Sequence, residues 1–229
     1  MEYVEVQRIA KRAMQRARAE IRPGMRLTGI RQLCEDEMRR PGADSFWYYG
    51  VGAFFFAGDE TAASVSGRQY HTSDRVIAAD DVVTIDLSPQ VGDTWGDFAR
   101  TIVLEGGRVV ENPADIARGE WKSGLLLEER LHAELLRFVT TDTTFHQLYA
   151  HMNAVIREAG FVNLDFLGNL GHSIVRSRDA RVYIERGNHA RLAEAGLFTF
   201  EPHIGLPGSA YGFKREDIYR FEAGRLAAL

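Results

Sequence analysis

The fold is decided by residues 82–104, which read VVTIDLSPQVGDTWGDFARTIVL. Apolar and β-branched residues dominate both ends of this stretch, so the pattern predicts two buried strands, 82–87 and 98–104. The residues between the strands include proline, glycine and aspartate and are typical of a turn. A hairpin would bring Asp86, in the first strand, close to Asp97, just before the second. Two buried carboxylates at close range repel each other, and a bound cation is the usual remedy.

Three further candidate metal ligands lie in the second half of the chain. His172 lies in the stretch NLGHSIV, Glu201 ends the apolar stretch GLFTFE, and Glu216 lies in FKREDIY. A carboxylate within an apolar strand is unfavourable unless it is paired or bound to a metal. For each residue alone, a salt bridge to one of the many arginines stays an open alternative. Together with Asp86 and Asp97, they form an ordered set of oxygen and nitrogen ligands.

The composition is that of an ordinary globular protein and excludes several classes of function. Hydrophobic residues make up 45% and charged residues 26% of the 229-residue chain, and the net charge of -4 gives no basic footprint for nucleic acid. No stretch approaches the roughly 18 apolar residues of a membrane span, and residues 1–20 lack the apolar core of a secretory signal. The single cysteine, Cys34, excludes an intrachain disulfide framework, and its apolar neighbours predict a core thiol rather than a nucleophile. We therefore expect a cytoplasmic protein that binds neither nucleic acid nor membrane.

The rest of the sequence predicts helices in two pairs, each followed by strands. Helices are expected over residues 1–20, 28–40, 114–140 and 145–159, and further strands over 46–49, 53–57 and 76–78. Thr143 or Thr144 caps the last helix, and Gly160 ends it. The order of elements in 1–57 recurs in 114–175. This predicts an α+β chain, either two ordinary segments or a duplicated half with a binding site at the junction.

The ordered ligand set resembles that of the pita-bread metallopeptidases, which include methionine aminopeptidase, Xaa-Pro aminopeptidase, prolidase and creatinase. Residues 82–104 resemble the family's paired-aspartate segment, including the eleven-residue spacing and the Arg-Thr that follows. NLGHSIV resembles its Gly-His-Gly-Ile-Gly turn, GLFTFEPHIGLPG its Phe-Thr-Ile-Glu-Pro strand, and FKREDIYRFEAG its Arg-Ile-Glu-Asp strand. The resemblance implies a pita-bread fold, with two pseudo-symmetric α+β halves around a curved, mainly antiparallel sheet. It also leads us to expect one catalytic domain over 1–229, without a separate N-terminal domain.

The resemblance implies a site of two divalent ions. Asp86 would chelate one ion, Asp97 and Glu216 would bridge the pair, and His172 and Glu201 would complete the other. The oxygen-rich ligand set suits manganese, iron(II), cobalt or zinc. The ions would activate a water molecule and polarise a scissile carbonyl. Glu201 is also implied as the general base that takes the proton from that water.

Two histidine positions depart from the family pattern. The family has a substrate-facing histidine slightly further upstream of its first aspartate than His71, so His71 is our candidate for stabilising the tetrahedral intermediate. A surface loop histidine is the alternative. The family's second histidine, usually in a His-Glu-x-Pro segment, is missing from this chain. His203 is the first candidate to replace it near the substrate, and His189 is the second.

Three arginines occupy the stretch that replaces the His-Glu-x-Pro segment. They are Arg176, Arg178 and Arg181, and the first two would share one face if the stretch is extended. Guanidinium groups bind carboxylates through paired hydrogen bonds, so we expect Arg176 and Arg178 to bind a small anionic substrate. The alternative is that these arginines point to solvent or pair with Asp179 and Glu185.

The function that follows is a dinuclear, metal-dependent hydrolase of aminopeptidase type, acting on a small peptide or amide substrate. Two other functions stay open. One is the hydrolysis of a non-peptide C–N bond, which a screen of small amides against dipeptides would separate from peptidase activity. The other is a non-catalytic binding protein, which need hold no stoichiometric metal ion. A homodimer also stays open as the assembly state.

Overall fold

The computed structural model describes residues 1–229, which form four α-helices and thirteen short or medium β-strands. The helices are α1 (Tyr3–Glu20), α2 (Leu27–Arg39), α3 (Gly119–Phe138) and α4 (Phe145–Glu158). The strands are β1 (Ser45–Phe46), β2 (Ala53–Ala57), β3 (Asp81–Leu87), β4 (Pro89–Val91), β5 (Thr94–Trp95), β6 (Phe98–Glu105), β7 (Arg108–Val109), β8 (Val162–Asn163), β9 (Leu197–Phe200), β10 (His203–Gly205), β11 (Phe213–Lys214), β12 (Asp217–Glu222) and β13 (Arg225–Ala228).

The predicted hairpin forms the centre of the largest sheet. Strands β3 and β6 pair antiparallel, with Asp86 opposite Ala99, and β2 and β7 extend the sheet on either side. The hairpin is therefore confirmed. The segment between its strands is more than the predicted turn, because β4 and β5 form a small hairpin of their own that pairs with β1. Asp97 directly follows this insertion, which carries it to the same end of the sheet as Asp86.

Two hydrophobic cores lie on opposite faces of the central sheet. Alternate residues of a strand point to opposite faces, so Val83 and Ile85 join one core while Val82 joins the other. In the first core, α1 and α2 pack on the sheet. Cys34 of α2 is fully buried there, and burial raises the pKa of its thiol to about 12. The prediction of a core thiol is confirmed.

The second half is built from α3 and α4 packed on two three-stranded sheets, of orders β11-β10-β8 and β13-β12-β9. Helix α4 begins with a capping box, in which the Thr144 hydroxyl accepts from the Gln147 backbone N–H at 3.2 Å and the Gln147 side chain accepts from the Thr144 N–H at 2.9 Å. These bonds satisfy two amide donors that the first turn leaves free. Gly160, at a φ of +82°, follows the end of the helix. The predicted cap and terminator are confirmed.

Helix α3 starts later than the sequence pattern predicts. Residues Pro113–Asp115 form one 3₁₀ turn, and the α-helix begins at Gly119. Between them, the Glu105 carboxylate accepts hydrogen bonds from the backbone N–H groups of Ala117 at 2.8 Å and Arg118 at 3.0 Å. This contact from strand β6 holds the segment out of the helix. Gly119 and Gly124, which are weak helix formers, are the local signal that the start of the predicted helix is weak. The strand predicted over 76–78 is likewise reduced to an isolated bridge at Val76.

The two halves are joined along β6. The Glu216 N–H donates to the Ala99 carbonyl oxygen at 2.9 Å, and the Lys214 N–H donates to the Thr101 hydroxyl at 2.8 Å. The guanidinium of Arg100 also donates to the Glu216 carbonyl oxygen at 2.7 Å. The Arg-Thr pair after Asp97 is thus a structural link between the halves. The α+β architecture with two helix pairs agrees with the sequence prediction, and no helix carries the apolar stretch that a membrane crossing requires.

Candidate active site

A pocket opens where the two halves meet, and residues from both halves line it. Its polar lining is Ser64, Thr84, Asp86, Ser88, Asp97, Asp165, Asn169, His172, Arg181, Tyr183, Glu201, His203 and Lys214. Its aromatic and apolar lining includes Trp47, Tyr48, Phe54, Phe56, Phe166 and Leu167. Four of the five residues that the sequence predicts as metal ligands are in this lining. The fifth, Glu216, lies directly behind it.

Asp97, His172 and Glu216 form a cluster of potential metal ligands at the pocket. One potential ligand atom from each of these buried residues lies within 4.8 Å of the others. Asp97 comes from the hairpin of the first half, whereas His172 and Glu216 come from the second half. The junction of the halves therefore creates the cluster, and neither half contains it alone.

His172 is oriented as a neutral ligand. Its Nδ1 lies 3.1 Å from the Ser173 carbonyl oxygen, which can only accept, so Nδ1 carries the proton and Nε2 keeps its lone pair. Nε2 lies 3.7 Å from Asp97 Oδ2 and 3.5 Å from Glu201 Oε1. Burial lowers the pKa of His172 to about 4, so the ring is neutral at pH 7. A neutral imidazole with one fixed proton is the form that binds a metal.

Glu216 shows why a cation fits this site. Its side chain is fully buried, and neither carboxylate oxygen has a hydrogen-bond partner. Burial raises the pKa of Glu216 well above its usual range, and the nearby charge of Asp97 raises it further. The pKa of Asp97 is raised in the same way, by burial and then by Asp86 and Glu201. Buried carboxylates without partners are unfavourable, and a bound cation relieves both desolvation and repulsion.

Asp97 is positioned by a residue that the sequence analysis did not single out. Gln7, on α1 and almost fully buried, donates its amide N–H to the Asp97 carbonyl oxygen at 2.7 Å. The Gln7 amide oxygen accepts from the Asp97 N–H at 3.0 Å. These two hydrogen bonds fix the backbone of Asp97, the residue that carries the carboxylate. The sequence signal for Gln7 is a polar residue on the face of α1 that is otherwise apolar and buried.

Asp86 and Glu201 share a partner that was also missed. The Lys214 ammonium lies 2.6 Å from Asp86 Oδ2 and 3.1 Å from Glu201 Oε2. The five predicted ligands thus form one continuous cluster, but Asp86 lies outside the group of three with the closest ligand atoms. Lys214 and Glu216 are two residues apart in a nearly extended segment, which puts their side chains on one face. That spacing could have identified Lys214 from the sequence.

The three histidines considered for substrate contact occupy different environments. His203 lines the pocket, and its Nε2 lies 2.8 Å from the Thr61 carbonyl oxygen, so this nitrogen carries the proton. Burial lowers the pKa of His203 to about 4. His71 is exposed and lies outside the pocket lining. His189 is also exposed, and its ring lies beside that of His146. Of the three, only His203 lines the pocket.

Of the three arginines, the structure brings Arg181 to the pocket and leaves the other two outside its lining. Arg176 is exposed, and Arg178 lies 3.9 Å from the Tyr49 ring centroid and ion-pairs with Asp179 at 3.8 Å. The expected common face of Arg176 and Arg178 does not form, because Arg178–Ala180 is a 3₁₀ turn rather than an extended segment. The ion pair between Arg178 and Asp179 is the one that the alternative interpretation predicted.

Arg181 is held among aromatic rings on the pocket wall. Its guanidinium carbon lies 4.9 Å from the Trp47 ring centroid and 5.5 Å from that of Tyr183. Its Nε donates to the Arg178 carbonyl oxygen at 2.8 Å. These contacts fix the side chain while its other N–H groups stay free of any protein acceptor in the structure's hydrogen-bond network. Such a group is suited to bind a carboxylate.

Two stacked tryptophans form the wall beside His172. The rings of Trp47 and Trp95 have centroids 4.0 Å apart, and the His172 ring lies 5.6 Å and 5.9 Å from them. The Trp95 indole N–H donates to the Val175 carbonyl oxygen at 2.7 Å. The pair therefore connects the small β4–β5 hairpin of the first half to the segment that carries His172.

Comparison with known proteins adds two kinds of finding. A sequence profile of metallopeptidase family M24 matches residues 2–223. Among solved structures, the chain is similar to an X-Pro aminopeptidase from Thermotoga maritima MSB8 (TM-score 0.79, 23% identity, covering 98% of this chain and 58% of that one). It is also similar to prolidases from Pyrococcus horikoshii OT3 (TM-score 0.80, 20% identity, 98% and 59% covered) and Pyrococcus furiosus (TM-score 0.79, 21% identity, 99% and 63% covered). At these identities the likeness shows the pita-bread fold, and the chain spans less than two thirds of each of these proteins. No curated protein sequence matches the chain.

Proposed function

Because this chain belongs to metallopeptidase family M24, we propose that it is a metal-dependent peptidase that cleaves the N-terminal bond of a small peptide. The observation that carries the proposal is the buried cluster of Asp97, His172 and Glu216 at the pocket floor. The unpartnered carboxylate of Glu216 and the free lone pair of His172 Nε2 fit a divalent cation. Glu201 lies beside this cluster in the pocket lining, where a substrate would be bound.

Asp97, His172 and Glu216 would hold the cation. When bound, a divalent ion supplies a Lewis acid that acidifies water and polarises a scissile carbonyl. The donor set of two carboxylates and one imidazole fits manganese, iron(II), cobalt or zinc. The second ion, which the family resemblance implies with Asp86 as its own ligand, stays a prediction; Asp86 contacts Lys214 in this structure.

We assign the proton transfer to Glu201. Burial alone would raise the pKa of its carboxyl group, but the adjacent Lys214 ammonium offsets burial, and the pKa is lowered overall. The group is therefore a carboxylate at neutral pH and can accept a proton. Its Oε2 contacts Lys214, whereas Oε1 faces His172 at 3.5 Å and is the oxygen that we assign as the acceptor.

The substrate that fits best is a dipeptide with a free carboxylate. The names of the similar structures point to peptides with proline in the second position. In this chain, Arg181 offers a cation on the pocket wall, and the neighbouring aromatic rings offer apolar contact to a ring such as that of proline. We therefore propose an Xaa-Pro dipeptide as the first substrate to test, with His203 as a further contact to it.

The proposed function is tested by metal removal and replacement. We expect the chelator-treated protein to cleave no Xaa-Pro dipeptide and to recover when manganese, cobalt, zinc or iron(II) is returned, because the carboxylate cluster then regains its cation. Product release is measured by chromatography against a panel of Xaa-Pro dipeptides, longer peptides and small non-peptide amides. Hydrolysis that survives complete metal removal would contradict the proposal. Cleavage of amides alone would favour the non-peptide C–N hydrolase.

The role of Arg181 makes a separate prediction. Arg181→Met removes the guanidinium but keeps an apolar side chain against Trp47. We expect kcat/KM for a dipeptide with a free carboxylate to fall by about 10- to 100-fold, since a charge-assisted hydrogen bond contributes about 1.5–3 kcal/mol. The same dipeptide with an amidated C-terminus has no carboxylate to lose, so its kcat/KM should change little.

Arg178→Met is the matched control, because Arg178 is an equivalent arginine three residues away that lies outside the pocket lining. Both substrates should be cleaved by this variant at the unaltered rate. Equal losses for the free and amidated substrates in Arg181→Met would reject carboxylate binding by Arg181.

A further inference from the structure

Asp165 lines the pocket with one carboxylate oxygen engaged and the other free. Its Oδ1 accepts hydrogen bonds from the backbone N–H groups of Leu167 at 3.0 Å and Asn169 at 3.1 Å, and from the Asn169 side-chain amide at 3.1 Å. Its Oδ2 accepts no hydrogen bond from the protein and is accessible to solvent. The carboxylate therefore holds its own loop with one oxygen and presents the other to a ligand.

The loop that carries Asp165 is anchored at both ends to the segment that carries Glu201. At one end, the Leu164 N–H donates to the His203 carbonyl oxygen at 2.7 Å. At the other end, the Leu170 carbonyl oxygen accepts from the Glu201 N–H at 2.9 Å. Strand β8, just before the loop, also pairs with β10. Asp165 consequently has a fixed position near the proposed proton acceptor.

The carboxylate of Asp165 has no counterion of its own. Burial raises the pKa of Asp165, and the negative charge of Glu201 raises it further. Lys214 is the nearby cation, but its ammonium contacts Asp86 and Glu201, and Asp165 forms no ion pair within the chain. A half-buried carboxylate without a cationic partner is stabilised when a ligand supplies the positive charge.

An apolar surface adjoins this carboxylate. Phe166 and Leu167 follow Asp165 in the chain, line the pocket, and are 51% and 64% exposed. The Phe166 N–H donates to the Ser64 hydroxyl oxygen at 3.1 Å, which ties the loop to the first half, and Val65 of that half also lines the pocket. Exposed apolar side chains that lie together at a pocket are typical of a ligand contact. The ligand that fits carries a cation next to an apolar side chain.

The N-terminal residue of a peptide has this combination of groups. Its α-ammonium is separated from the scissile carbonyl carbon by a single carbon atom, so the group that binds the ammonium must lie near the reacting centre. The anchoring of the Asp165 loop to the Glu201 segment meets this condition. An ammonium group has three N–H donors and forms charge-assisted hydrogen bonds with a carboxylate.

We propose that Asp165 binds the α-ammonium of the substrate's N-terminal residue through Oδ2. The inference rests on the proposed function, because that function makes the ligand a peptide. Asp165 would then act on the amino end of a dipeptide as Arg181 acts on its carboxylate. The pocket would thus select peptides with a free N-terminus and disfavour those whose amino group is absent or blocked.

The experiment compares leucyl-proline with 4-methylpentanoyl-proline, which has the same shape but no amino group. Asp165→Asn keeps an oxygen for the loop hydrogen bonds and removes the charge. With manganese-loaded protein, kcat/KM is measured for leucyl-proline and the inhibition constant for the analogue. We expect Asp165→Asn to lower kcat/KM by about 10- to 100-fold, the usual range for a charge-assisted hydrogen bond, and to leave the inhibition constant unaltered. Asp142→Asn, at an exposed position outside the pocket lining, should change neither.

Equal changes for the two compounds in Asp165→Asn, or no change for either, would overturn the inference and leave metal-dependent cleavage intact. If the wild type cleaves no peptide, the proposed function fails instead, and dissociation constants of the two compounds from calorimetry decide on Asp165 by the same comparison. Binding of neither compound then overturns the inference as well.

If circular dichroism shows that Asp165→Asn is unfolded, a crystal structure of the chelator-treated wild type with leucyl-proline decides. An ammonium nitrogen within about 3.2 Å of Asp165 Oδ2 supports the inference, and an ammonium bound elsewhere overturns it.

Discussion

Glu201→Gln is expected to lower kcat of the metal-loaded protein on its dipeptide substrate by about 10²–10⁴, the usual loss when a general base is removed. Glutamine has the same shape as glutamate but cannot take a proton from water. Because Asp97, His172 and Glu216 are unchanged in this variant, the cation should still be bound, and elemental analysis should find it. The loss should therefore appear in kcat at full metal content, measured by steady-state kinetics.

The matched control for this variant is Glu185→Gln. Glu185 is exposed and lies outside the pocket lining, so the same chemical change there should leave kcat and KM unaltered. If Glu201→Gln kept full activity at full metal content, the proton would have to go elsewhere and the assignment of Glu201 would be wrong. Loss of the metal ion from the variant would instead make Glu201 a required ligand, and the general-base role would then be unsupported.

Gly171→Ala is expected to cause the largest loss of stability of any single methyl addition at the site. Gly171 has a φ of +138°, and a Cβ built there would lie 2.3 Å from the Thr199 carbonyl oxygen and 2.9 Å from its carbonyl carbon. Both atoms are backbone of strand β9, so a side-chain rotation cannot relieve the clash. Overpacking typically costs about 1–3 kcal/mol and a left-handed alanine about 1–2 kcal/mol, so we expect about 2–5 kcal/mol in urea unfolding.

Gly208→Ala separates the two contributions. Gly208 has a φ of +78°, but a Cβ there meets no atom within 4 Å, so only the backbone strain is added. Its free energy of unfolding should fall by about 1–2 kcal/mol, less than that of Gly171→Ala. Since Thr199 N–H donates to the His172 carbonyl oxygen at 2.7 Å, Gly171→Ala should also weaken metal binding. If Gly171→Ala and Gly208→Ala had equal effects on stability and on metal affinity, strand β9 would have relieved the clash by moving, without a loss of free energy.

The parts of the molecule that local patterns predict are those held by local forces. The β3–β6 hairpin follows from alternating burial over a single continuous segment, and the start of α4 follows from Thr144 and Gln147, which are three residues apart. Asp86 and Asp97 could be paired on this basis alone. That they meet a histidine and a glutamate from the other half followed only from the family resemblance, because nothing in residues 82–104 specifies their distant neighbours.

The parts that the sequence analysis missed depend on contacts between distant segments. Helix α3 starts late because Glu105 binds the backbone before it, and Arg178 turns away from the pocket because a 3₁₀ turn interrupts the segment. Arg181 belongs to the same stretch of sequence, but its position at the pocket depends on contacts with aromatic rings of the first half. Lys214 is the exception, since its spacing from Glu216 was visible in the sequence. Its pairing with Asp86 across the junction was not.

The stacked tryptophans give this protein a built-in optical reporter. Two of its three tryptophans, Trp47 and Trp95, lie in van der Waals range of each other and beside His172, whereas Trp121 packs against Tyr211 in the second core. Indole fluorescence responds to nearby charge and is quenched by paramagnetic ions. If manganese or cobalt binds at His172, we expect it to change the emission of these two tryptophans and to leave that of the third unaltered. Metal occupancy would then be followed in the intact protein without labels and without substrate.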